Sequence, residues 1–91
     1  MVTALCFITA SPHRVNEIGS MIARLPEART VYSVTGEWDI IAVLEVREVD
    51  DVARIVTDQI SAIDGIQTTE THIAFRTYSP DDLDAAFSLG Y

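Results

Sequence analysis

Two stretches of this chain are apolar on both faces of a strand, and that feature constrains the fold more than any other. In Val2 to Ala10, the set Val2, Ala4, Cys6 and Ile8 alternates with Thr3, Leu5, Phe7 and Thr9. In Trp38 to Val46, one face carries Trp38, Ile40, Ala42, Leu44 and Val46, and the other Asp39, Ile41, Val43 and Glu45. An antiparallel strand with one wet face alternates cleanly between apolar and polar residues. Both stretches therefore predict a sheet that is covered on two sides.

The rest of the chain supplies cover for one side. Ser11-Pro12 offers an N-cap and a first-turn proline, and Val15, Ile18, Ile22 and Leu25 follow at helical spacing, which predicts a helix over Pro12 to Leu25. Gly19 weakens that helix unless close packing requires a missing side chain. Arg29 to Thr35 reads as a second strand, and Asp50 or Asp51 caps a second helix with the stripe Val52, Val56, Ile60 and Ile63. Gly65 suits its C-terminus. Ile66 to Tyr78 reads as a fourth strand, with Thr69, Thr71, Ile73 and Phe75 on one face and Glu70, His72, Ala74 and Arg76 on the other.

The order β-α-β-β-α-β predicts a ferredoxin-like α+β sandwich, a four-stranded antiparallel sheet with two helices on one face. Residues 1–79 make the single domain, and 80–91 a short helical tail in which Leu83, Ala86 and Phe87 share a side. Two helices cannot cover both faces of the sheet. The second face is expected to meet an identical sheet in a homodimer, a dimeric α+β barrel.

Charge narrows the partners. Fourteen acids stand against six bases, all arginine and scattered, for a net charge of -8. Phosphate contacts need a clustered positive patch, so direct nucleic-acid binding is not expected, and anionic membranes are disfavoured. No apolar run approaches the roughly 18 to 20 residues of a membrane span, and a cytoplasmic location is the expectation. One cysteine forms neither an internal disulfide nor a metal site, and Cys6 in Leu5-Cys6-Phe7-Ile8 reads as a core residue.

The candidate site is the bend between strands two and three. Val34-Thr35-Gly36-Glu37-Trp38-Asp39 holds the only Trp, a glycine able to take positive φ, and an acid immediately before an apolar run. With Ile63-Asp64-Gly65-Ile66 after the second helix and Thr69-x-Thr71 in the last strand, the chain resembles the effector-binding domain (RAM domain) of the Lrp/AsnC transcription regulators from about Ala4 to Tyr78. The resemblance implies the stand-alone form of that domain, without the family's helix-turn-helix DNA-binding part. It also implies sheet-mediated dimers that close into octamer or decamer rings, amino-acid effectors bound between dimers, and co-assembly with full-length relatives. No cofactor is implied.

Carried over by position, Gly36, Glu37 and Trp38 offer backbone N–H groups to an α-carboxylate, Asp39 accepts the α-ammonium, and Thr69 and Thr71 add hydroxyls. Each has a plainer use: Gly36 in the turn, Asp39 capping a local backbone N–H, the threonines as strand formers, Trp38 as an interface anchor. The competing class is a small cofactor-independent monooxygenase or isomerase of the dimeric α+β barrel type. That enzyme needs an acid–base pair in a pocket between sheet and helices, and His72 with Glu70 is the one candidate.

Overall fold

The computed structural model describes residues 1–80, and the expected tail from Asp81 onward lies outside them. The elements are β1 (Val2–Ala10), α1 (Val15–Ala23), β2 (Ala28–Ser33), β3 (Ile40–Val46), α2 (Val49–Arg54) and β4 (Ile66–Ile73). The sheet is antiparallel throughout in the order β2-β3-β1-β4, so the two strands that are apolar on both sides occupy its centre. This is the expected ferredoxin-like sandwich.

Register sorts the residues between faces. Cys6 opposes Ala42 and Thr71, and Ile8 opposes Ile40 and Thr69. These lie on the helix side, where Ala4, Cys6, Ile8, Ile40, Ala42 and Leu44 pack with Ile18 and Ile22 of α1 and with Val52, Ile55 and Ile60. The other face has Leu5 opposite Val43 and His72, and Phe7 opposite Ile41 and Glu70. Tyr32 and Thr30 of β2 extend it. Its centre is apolar and its rim, with Thr3, Thr9, Glu45, Thr68 and Glu70, is polar, as in the buried patch of a protein interface.

Several boundaries differ from the sequence expectation. Helix one begins as a 3-10 turn over Pro12–Arg14, and the Ser11 hydroxyl makes no capping bond. The expected cap of helix two moves to Glu48, whose N–H donates to Asp51 Oδ2 at 3.2 Å. That helix continues as a π-helical turn over Ile55–Ile60, closed by Ser61 N–H donating to the Val56 carbonyl at 2.8 Å. The wider turn places Ile55 and Ile60 fully in the core and leaves Val56 and Ile63 at its margin, which displaces the predicted stripe. Strand β4 ends at Ile73, short of the expected Tyr78, although Ala74 N–H still reaches the Thr3 carbonyl at 2.8 Å.

Candidate functional site

Strand β3 starts at Ile40, so Trp38 and Asp39 belong to the connecting loop and do not follow the strand's alternation. Val34 N–H donates to the Asp39 carbonyl at 3.0 Å and closes the loop across its base. Gly36 sits at φ 102, in the left-handed region that side chains rarely adopt. Thr35, Gly36 and Glu37 are exposed, and their backbone is presented to solvent.

Asp39 is held at two points by β1. Its N–H donates to the Ile8 carbonyl at 2.9 Å, and its Oδ2 accepts the Ala10 N–H at 2.8 Å. One carboxylate oxygen therefore finishes the hydrogen bonding of β1, and the backbone N–H it serves is remote in sequence rather than local. Oδ1 has no hydrogen-bond partner among the described residues.

Trp38 does not join Ile40 on the helix side, as strict alternation predicted. The loop turns its indole onto the opposite face, where it meets Phe7 with ring centroids 5.7 Å apart and planes tilted by 56°. Phe7 also meets the His72 ring at 5.4 Å with the planes nearly perpendicular, and His72 Nε2 lies 2.7 Å from Glu70 Oε2. Trp38, Phe7 and His72 form an aromatic row that the sequence reading missed. The register between β1 and β4 brings His72 beside Phe7, and the bend before Ile40 brings Trp38.

The two threonines separate. Thr69 lies opposite Ile8, at the end of the sheet that carries the loop. Thr71 lies further along, its hydroxyl donating to Cys6 Sγ at 3.7 Å, and lines an apolar groove of about 280 Å³ between α2 and β4 with Val52, Val56 and Ile73. Burial pushes the Cys6 thiol up, with the Thr71 hydrogen bond opposing, and this favours the protonated form over the reactive thiolate.

The acid–base pair of the enzyme alternative is on the wrong face for that role. His72 and Glu70 are bonded, but on the sheet face away from the helices, with 58% and 55% of their side chains exposed. Among the described residues no group of three His, Cys, Asp or Glu side chains is placed to hold a metal ion, and no helix is long and apolar enough to cross a membrane.

A four-stranded antiparallel sheet with two helices on one face and a glycine loop at its end defines a ferredoxin-like domain with an exposed apolar sheet face. The sequence profile of the Lrp/AsnC ligand binding domain matches residues 3–83. The chain belongs to the Lrp/AsnC family and forms its ligand-binding domain.

An uncharacterised HTH-type transcriptional regulator of Pyrococcus furiosus is 38% identical over 80 residues, covering 88% of this chain and 53% of that protein. The chain thus spans about half the length of this relative. A crystal structure from Thermus thermophilus superposes with a TM-score of 0.83 at 39% identity, over 87% of this chain and 99% of the other. AsnC of Escherichia coli superposes at 0.78 with 26% identity, over 84% of this chain and 52% of AsnC. The Pyrococcus furiosus relative is named a transcriptional regulator.

Proposed function

We propose that this domain senses an amino acid or related small metabolite at the Gly36–Asp39 loop. Gly36, Glu37 and Trp38 present N–H groups to the effector's α-carboxylate, and Asp39 Oδ1 accepts its α-ammonium. The observation that carries this reading is the division of labour at Asp39: one oxygen is fixed by Ala10 N–H at 2.8 Å, and the other has no partner among the described residues, in a residue that directly follows the exposed stretch Thr35 to Glu37 and half-buried Trp38. A zwitterion needs an anionic acceptor and neutral donors side by side, and a carboxylate fixed in this way holds its geometry before the ligand arrives.

The assembly in this reading is a homodimer through the Leu5, Phe7, Ile41 and Val43 face, with dimers closing into an octamer or decamer ring. Thr69 and Thr71 reach the effector only where a neighbouring subunit brings them to the loop. Co-assembly with full-length Lrp/AsnC regulators would pass the effector signal to their DNA-binding parts.

Thermal unfolding of the domain against each of the twenty amino acids tests the site. A ligand at about 100 times its dissociation constant stabilises the fold by roughly 2.7 kcal/mol. The reading predicts such a shift for at least one amino acid and its loss in Asp39→Asn. No shift with any of them, or a shift that survives in that variant, overturns it.

A further inference from the structure

We infer that Phe7 is a positioning residue for the loop: through Trp38 it ties the conformation of Gly36 to Asp39 to the sheet face on which a second copy docks. The inference rests on the sheet-to-sheet dimer proposed above and adds a linkage between that dimer and the site.

The loop has two unequal halves. Its C-terminal half is anchored to β1 three times: Asp39 N–H to Ile8, Asp39 Oδ2 to Ala10, and the Trp38 ring to Phe7. Thr35 to Glu37 is exposed and follows wherever Trp38 and Asp39 are held. The two hydrogen bonds go to backbone at the end of β1 and do not depend on the free face. The ring contact does. Phe7 stands in that face between Trp38 at 5.7 Å and His72 at 5.4 Å.

A partner sheet pressing on Phe7 removes water from the Trp38 side of the loop as well and locks the ring contact that the single chain already makes. Without a partner, Trp38 is only half-buried, and water competes for its contact with Phe7. The donors proposed for the effector carboxylate are therefore better ordered in the dimer than in the monomer. By reciprocity, whatever orders the loop strengthens the dimer.

Phe7 lies outside the buried cluster between helices and sheet, so replacing it leaves that core intact. Hydrogen exchange of the amides from Thr35 to Trp38 reads loop order directly, and sedimentation reads the dimer in the same samples. Three chains are compared: the wild type, Val43→Asp, which buries a charge in the centre of the docking face, and Phe7→Leu.

The expected result is slower loop exchange in the wild-type dimer than in the Val43→Asp monomer. The scale is about two- to tenfold, the weight of one aromatic pair. Phe7→Leu should remain dimeric but exchange like the monomer, and Phe7→Tyr should restore the wild-type rate. Equal loop exchange in dimer and monomer overturns the inference and leaves the dimer standing. So does a slow loop in dimeric Phe7→Leu. A wild type that sediments as a monomer overturns the proposed dimer and the linkage with it.

Discussion

The structure gives Asp39 one task, the bond to Ala10, the proposed function gives it a second, and two substitutions separate them. Its Oδ2 accepts the Ala10 N–H at 2.8 Å, and Ala10 is only 4% exposed, so in Asp39→Ala that amide is stranded where water reaches it poorly. A hydrogen bond to a charged group, together with the desolvation left behind, amounts to about 1.5 to 3 kcal/mol. For a domain of this size a loss near 2 kcal/mol lowers Tm by about 8 to 16 °C. Asp39→Asn keeps an oxygen that Ala10 can use and removes the charge, so it should recover roughly half of that stability, about 1 kcal/mol.

The assay is thermal and urea unfolding of the three proteins at one fixed protein concentration, because an associating protein has a concentration-dependent Tm. Effector binding is then measured well below every midpoint. The expected pattern is a stability order of wild type, Asn, Ala, with binding lost in both variants. If Asp39→Ala unfolds with the wild type, the bond to Ala10 contributes nothing and the two-task account fails.

Other outcomes follow from single contacts. Gly36→Ala should cost about 1 to 2 kcal/mol from backbone strain alone, because a Cβ there meets nothing within 4 Å. Gly65→Ala should cost more, since φ 100 is joined by Arg14 Cγ at 3.1 Å, and equal losses in urea unfolding would refute the comparison. Gly19→Ala should stabilise by about 0.5 to 1 kcal/mol, since its Cβ meets only Ile40 Cδ1 at 4.0 Å; a lower urea midpoint would contradict this.

Cys6 predicts a pH dependence. Burial raises its thiol pKa in the folded state above that of the unfolded chain, so the native protein holds the proton longer. Its stabilising effect is complete below the ordinary thiol range, about pH 8.5, and is lost as pH rises beyond it. The wild type should lose more stability than Cys6→Ala between neutral pH and that alkaline range, and parallel urea profiles would contradict the assignment.

The fold was legible because the constraint lay in the residues themselves. Leu5, Phe7, Ile41 and Val43 are apolar where a wet face would be polar, and the antiparallel register places all four together on the side without helices. What the sequence hid was phase. Alternation counted back from Ile40 assigns Trp38 to the helix side, whereas the bend before Ile40 carries it to the other. In the second helix Ile55 rather than Val56 joins Val52 and Ile60 in the core, and the five-residue step from Ile55 to Ile60 is that of a π-helical turn, which leaves no mark in composition.

The loop was legible at Gly36 and Asp39, residue types whose backbone and charge have local meanings. Asp39's partner, Ala10, was not, because nothing about an alanine amide announces a carboxylate 29 residues away in sequence. Thr71 looked equivalent to Thr69 two positions earlier. The packing of α2 separates them, giving Thr71 to Cys6 and the α2–β4 groove.

The central claim is that the sheet's second face is closed by another copy of itself, and sedimentation equilibrium of the wild type beside Val43→Asp at micromolar concentration tests it directly. The account predicts a dimer or a multiple of dimers for the wild type, and a smaller species with unchanged circular dichroism for the variant. A folded monomer in the wild type, or an assembly indifferent to a charge at Val43, would contradict it.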